Sequence, residues 1–172
     1  NIGAGRNLSM WAGWVVPYDT PLLLVGGEGT DMESARRALI RVGLDDIRGS
    51  LKGGMRAWIE AGLDQAHVPQ ISVRELAERR QRGQVIILDV RSRGEWVTGH
   101  IEGAVHIPGG ELPKRTGEIP NGTPVHVICG SGYRSSIATS VLKRAGVDGV
   151  INVVGGMTAW NVQSLPAVAG KA

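Results

Sequence analysis

The stretch "PVHVICGSGYRSSIATSVLKRAGVD", residues 124–148, reads as one strand, one tight loop and one helix. "VHVIC" (125–129) is an apolar, β-branched run of the kind that fills a strand buried on both faces. "GSGYR" (130–134) follows, with two glycines that permit backbone angles closed to other residues. "SSIATSVLKRAG" (135–146) then reads as a helix. The chain's single cysteine, Cys129, stands where the strand gives way to the loop.

The same pattern occurs 103 residues earlier. "PLLLVGGEGTDMESARRALIRVGLD" (21–45) aligns Pro21, Gly27, Gly29, Ala35 and Leu39 with Pro124, Gly130, Gly132, Ala138 and Leu142. Arg41, Gly43 and Asp45 meet Arg144, Gly146 and Asp148. After a one-residue gap, "GGMRAW" (53–58) meets "GGMTAW" (155–160). A fixed-offset recurrence of glycines and a tryptophan marks two copies of one unit. The copies are unequal. The first begins opposite His106 and lacks a counterpart of residues 70–105, so it is half a unit. The expected division is a partial domain over 1–66 and a complete one over 67–172, joined near 62–70.

Upstream in the complete copy, Ser72 with Glu75 reads as a capping box opening a helix to about Arg82. "VIILDV" (85–90) reads as a buried strand, "GEWVTG" (94–99) as a short helix and "AVHIP" (104–108) as a strand. "VINVV" (150–154) is another strand and "MTAWNV" (157–162) a final helix. Strands and helices in alternation with short links predict an α/β fold, a parallel sheet with helices on both faces.

Bulk composition narrows the class. The chain has 172 residues, 42% of them hydrophobic, enough for a real core, and a net charge of +3. Its arginines are scattered, among them Arg36, Arg37, Arg56, Arg79, Arg80 and Arg82, so a nucleic-acid-binding stripe is not indicated. One cysteine cannot form an intrachain disulfide, and no apolar run reaches the roughly 20 residues of a membrane span. A cytoplasmic protein is the default expectation, weakened because the chain starts at Asn1 without a methionine.

In a parallel α/β sheet the loops leaving the carboxyl ends of strands form the ligand crevice. Cys129 is at such an end. The loop "GSGYR" can turn consecutive N–H groups inward, and the start of the next helix adds its positive end. That cradle, with Arg134 nearby, favours a thiolate nucleophile over the other reading of a strand-end cysteine, a small buried hydrophobe.

In this order, "LDVRSRGEWVTGHIEGAVHIP" (88–108), "CGSGYRS" (129–135) and "GGMTAW" (155–160) resemble the rhodanese (sulfurtransferase) homology domain. The resemblance covers roughly 70–166 and, in the earlier copy, residues 1 to about 66. It implies sulfur transfer through a persulfide on Cys129, with Gly130, Ser131, Gly132, Tyr133, Arg134 and Ser135 as the substrate-binding loop. It implies no metal or organic cofactor. The partners would be small sulfur donors, such as thiosulfate or a persulfide, and acceptors such as cyanide or a thiol. The resemblance leaves open a sulfur-carrying or partner-docking module without rapid turnover. It also admits a metallo-β-lactamase-like domain upstream in the parent chain, as in sulfide-handling proteins. Better-known thiosulfate-using loops carry cations just after the cysteine, whereas Gly130 and Ser131 stand here. Cysteine phosphatases place five residues between cysteine and arginine. Cys129 and Arg134 enclose four, a tighter ring suited to one sulfur.

In the first copy Gly26 and Asp31 replace the cysteine and the arginine, so that copy is expected to be inactive. "VGGEGTD" (25–31) fits no phosphate-loop pattern. Asp89 and Arg91 are possible supporting residues that hold the loop or steer anions, or else a plain structural ion pair. Glu95 and His100 are expected to fix the local turn. His67, His106 and His126 lack metal-ligand spacing. Trp58 and Trp160 are both expected in the core, while Trp11 and Trp14 have no equivalent in the second copy.

Overall fold

The computed structural model describes residues 1–83, 85–120 and 122–170 and separates into two compact units, Ile2–His67 and the stretch from Val68 onward. In the smaller unit, α1 (Leu8–Val15), β1 (Leu22–Leu24), α2 (Met32–Ile40), β2 (Ile47–Ser50) and α3 (Gly54–Glu60) follow in order. β1 and β2 form a two-stranded parallel sheet. Leu8 and Ala12 of α1, Leu39 of α2 and Leu44 make its small core.

The larger unit holds β3 (Gln70–Ile71), α4 (Val73–Arg82), β4 (Ile86–Asp89), α5 (Arg93–Thr98), β5 (Val105–His106), α6 (Leu112–Arg115), β6 (Val125–Ile128), α7 (Tyr133–Arg144), β7 (Val150–Val153) and α8 (Gly156–Val162). Its five strands run parallel in the order β3-β7-β6-β4-β5. Alternate strand residues Ile87, Ile128, Ile151 and Val153 pack with Val73 and Leu76 of α4 and Met157 and Trp160 of α8. Because successive side chains point to opposite faces, the equally buried Val125, Val127 and Val150 face the other way, where α7 packs on β6 and β7. The expected parallel sheet flanked by helices is therefore present. β6 and β7 are buried at all four positions, which accounts for their mainly apolar runs, interrupted only by the buried His126 and Asn152.

Local details depart from expectation. β3 begins at Gln70, inside the stretch read as a linker, and adds an edge strand to β7. Ser72 caps α4 by accepting the Glu75 N–H, but the Glu75 carboxylate turns to Arg79 instead of back to Ser72. The full capping box belongs to Ser92 and Glu95 at the start of α5. α7 starts at Tyr133, two residues early, because Gly132 takes a left-handed angle (φ 106°) as its N-cap.

Trp160 is fully buried, whereas Trp58 is 36% exposed, so the expectation that both lie in the core fails for Trp58. The reason is physical. Trp160 packs against Ile71, Val73, Leu76, Ile87 and Ile101, all within the stretch 70–105 that has no counterpart beside Trp58. Both indoles still donate to a carbonyl six residues on, Trp58 to Asp64 and Trp160 to Pro166. Trp11 is buried in α1 and meets the exposed Trp14 edge-to-face.

Candidate active site

β6 delivers Cys129 to the carboxyl end of the sheet, and its side chain is fully buried there. The backbone turns at once: Gly132 donates its N–H to Cys129 Sγ at 3.1 Å. Ser135 Oγ lies 3.5 Å from Sγ and donates to the Gly132 carbonyl at 3.1 Å. A hydroxyl has one proton and two lone pairs, so beside a thiol Ser135 accepts, and beside a thiolate it can rotate to donate. No side-chain hydrogen bond caps the start of α7 at Gly132, and the positive dipole end of the helix adjoins the loop.

Two glycines outside the loop support it from below. Gly155 and Gly156 both have positive φ, 79° and 54°, and start α8 directly under the cysteine. Met157 N–H donates to the Cys129 carbonyl at 2.7 Å and Thr158 N–H to the Gly130 carbonyl at 2.9 Å. A Cβ on Gly156 would lie 2.6 Å from the Gly130 carbonyl carbon and oxygen, so only glycine allows this approach. Sequence reasoning did not place these glycines in the site. The recurrence of the Gly-Gly pair at 53–54 was the available signal.

Arg134 is not free to hold an anion. Its two terminal nitrogens each sit 2.6 Å from an oxygen of Glu95, a bidentate pair. Glu95 is also tied by Ser92, whose N–H and hydroxyl donate to Oε2. Arg134 first, then Ser92, holds the Glu95 carboxyl down at about 2 despite partial burial. Glu95 thus does more than fix a local turn. The signal for its pairing is absent from the sequence, since the partners are 39 residues apart.

Asp89 and Arg91 form a separate buried pair, 1% and 6% exposed, with the guanidinium spread across both carboxylate oxygens. Arg91 also donates to the Glu95 and Gly99 carbonyls, so the pair braces α5 rather than touching Cys129. Tyr133 is half-buried, and desolvation raises its pKa. Ser131 is exposed at the loop's tip. His100 and His106 both stack on Trp96, and His106 Nε2 lies 2.9 Å from the Arg91 carbonyl oxygen. His126 belongs to β6 and meets Arg79 of α4, and burial lowers its pKa. Among the described residues no cluster of His, Cys, Asp or Glu is arranged to hold a metal ion, and no helix is long and apolar enough to cross a membrane.

The loop of the smaller unit has the same frame with different wiring. Gly53 and Gly54 have φ of 77° and 59°, and Met55 N–H donates to the Gly26 carbonyl. Yet Asp31 caps α2 itself, accepting the Ser34 N–H at 2.9 Å, so its own carboxylate takes the helix start. A Cβ on Gly26 would lie 2.7 Å from Met32 Sδ and 2.9 Å from Thr30 Cβ. A cleft of about 490 Å³ opens here, with Gly29, Thr30, Arg56 and Glu60 on its walls, and carries no cysteine.

A cysteine ending a central parallel strand, a glycine-turned loop and an uncapped helix start together define the architecture, and the rhodanese-like domain family matches the chain over residues 72–163. The chain belongs to the rhodanese-like domain family. Over 94 residues it is 40% identical to a Bacillus subtilis protein named "Putative sulfur carrier protein YrkF", covering 54% of this chain and 51% of that one. The chain thus spans about half the length of that relative. A sulfurtransferase of Allochromatium vinosum is 35% identical over 103 residues, 59% of this chain and 96% of its own. Among solved structures, a rhodanese-related protein from Thermoplasma volcanium superposes with a TM-score of 0.55 at 28% identity. That match covers 59% of this chain and 99% of the other.

Proposed function

We propose that the protein is a sulfurtransferase that carries sulfane sulfur on Cys129. The observation that carries this reading is the Gly132 N–H on Sγ at the uncapped start of α7. In the first half-reaction the Cys129 thiolate attacks the outer sulfur of a donor. With thiosulfate the S–S bond breaks toward sulfite, leaving a Cys129 persulfide anion. With a low-molecular-weight or protein persulfide, the outer sulfur and its proton pass to Cys129 and the donor leaves as thiolate. An acceptor such as cyanide then takes the outer sulfur as thiocyanate and returns the Cys129 thiolate. Both half-reactions place negative charge at one point, so a fixed N–H and a helix start serve each without a general base.

Cyanide-dependent thiocyanate release, compared between wild type and Cys129→Ala, tests this reading. Equal rates overturn it. Mass spectrometry after donor treatment should find one added sulfur on the peptide that holds Cys129.

The complete burial of Cys129 favours a second reading, a sulfur-carrying or partner-docking module that loads once and turns over slowly. Stoichiometric loading without sustained thiocyanate release would select it. The smaller unit we read as an incomplete, nucleophile-free copy of the same unit. The matched left-handed glycines, Gly29 with Gly132 and Gly43 with Gly146, support that reading, as does the matched parallel pairing of β1–β2 and β6–β7.

A further inference from the structure

We propose that Glu95 is a specificity residue that disfavours donors with two negative charges next to the transferred sulfur, so that the site prefers persulfides to thiosulfate. This rests on the sulfurtransferase reading.

Arg134 is the loop's only cation, and any charge it offered a donor would have to come from a free guanidinium. That charge is neutralised: one N–H on each terminal nitrogen pairs with Glu95, and Glu95 is anchored on its other side by the Ser92 hydroxyl and N–H. The carboxylate therefore cannot swing aside without breaking the cap of α5. It also leans over the loop itself: a Cβ on Gly130 would lie 2.8 Å from Arg134 Nη2 and 3.6 Å from Glu95 Oε1. The pair is only partly exposed, 27% for Arg134 and 39% for Glu95, so its net charge is felt beside the sulfur. That net charge is zero. Asp89 and Arg91, linked to Glu95 through its carbonyl, form a buried ion pair that is also neutral.

A donor reaching Cys129 thus meets N–H dipoles but no net positive charge. Thiosulfate carries two negative charges into that space and regains little of its hydration. The sulfane end of a persulfide carries one charge at most. Such a site discriminates by charge, with the neutral or monoanionic sulfur favoured.

The test is steady-state sulfur transfer to cyanide by wild type and Glu95→Gln, with thiosulfate and with glutathione persulfide. Removing one negative charge leaves Arg134 with a net positive charge at the rim. The expected result is an increase of about three- to tenfold in kcat/KM for thiosulfate, mainly through KM, against less than about twofold for the persulfide. The gain should shrink as salt rises, which loss of a purely structural contact would not produce. Ser131→Lys, which adds a cation at the exposed tip and leaves the pair intact, should shift the donor ratio the same way. Should Glu95→Gln fail to fold, an unchanged donor ratio in Ser131→Lys overturns the charge discrimination on which the role of Glu95 depends. If wild type transfers sulfur through Cys129 but a folded Glu95→Gln leaves the ratio unchanged, the role of Glu95 is overturned and the sulfurtransferase reading stands. If wild type shows no Cys129-dependent transfer from either donor, both are overturned.

Discussion

Gly156→Ala is the sharpest single perturbation of the candidate site, because it adds one methyl group beneath the cysteine loop without touching the loop's own residues. The new Cβ would lie 2.6 Å from the Gly130 carbonyl carbon, where carbon–carbon contact needs roughly 3.5 Å, a shortfall of about 1 Å. The neighbours are backbone atoms and cannot rotate away. Overpacking of this kind costs about 1–3 kcal/mol, and the left-handed angle (φ 54°) costs an alanine about 1–2 kcal/mol more. The expected loss of stability is therefore about 2–5 kcal/mol. Gly103→Ala separates the two contributions, since Gly103 has φ 78° with nothing within 4 Å of an added Cβ. It should lose only the backbone part, about 1–2 kcal/mol. Relief of the clash must push Cys129 and Gly130 off the N–H groups of Met157 and Thr158, and a 1 Å shift of a reacting group costs on the order of 100-fold in rate. Urea unfolding and Cys129-dependent thiocyanate release, measured on both variants, check the chain of reasoning. If Gly156→Ala matches Gly103→Ala in both, the close approach under the loop has no energetic weight.

Four further outcomes are expected. Trp160→Ala should destabilise by about 3–5 kcal/mol and Trp58→Ala by less than about 1 kcal/mol, measured by denaturant unfolding; equal losses would mean that Trp58 is covered. Gly26→Cys in a Cys129→Ala background should give no thiocyanate release above blank, because Met32 and Thr30 occupy the space and Asp31 caps α2. Glu95, depressed to about 2 when folded against 4.5 when unfolded, binds fewer protons in the native state; its contribution is full above pH 4.5 and lost as pH falls toward 2. With solvent screening of this partly exposed pair, Glu95→Gln should therefore flatten the acid arm of a stability–pH curve by about 1 kcal/mol. Arg91→Ala strands the buried Asp89 carboxylate and should cost about 3–5 kcal/mol by the same unfolding assay, with Arg91→Lys recovering only part.

The sheet was legible because burial on both faces writes itself into composition: β4, β6 and β7 sit under "VIILDV", "VHVIC" and "VINVV". The position of Cys129 followed from the same logic, a strand end facing a glycine loop. What stayed hidden depends on partners distant in sequence. Trp58 and Trp160 share a motif and a backbone, but burial is conferred by residues 71–101, which only one of them has. Arg134 read as an anion ligand because its spacing to Cys129 is local information. Its capture by Glu95 depends on how α5 docks, and no period or motif encodes that. Asp89 and Arg91 read equally as loop supports or as a plain structural ion pair; they pair with each other, and Arg91 donates further to the Glu95 and Gly99 carbonyls.

The two glycine loops show what separates an anion cradle from an inert turn. Both rest on a left-handed glycine pair, both receive an N–H from a following methionine, and both precede a helix. In one, an aspartate at the helix start satisfies the exposed N–H groups from within, and a methionine sulfur fills the place of the nucleophile. In the other, Gly132 is the cap and has no side chain to offer, Arg134 inside the first turn is paired with a carboxylate from another helix, and the Gly132 N–H goes to the sulfur. A side-chain cap at Asp31 against a glycine cap at Gly132 thus separates a helix start used by the chain itself from one turned toward the cysteine. Glu95 is then needed for a physical reason as well: an unpaired guanidinium in the half-buried position of Arg134 would be costly to desolvate, and pairing it removes that cost along with the charge.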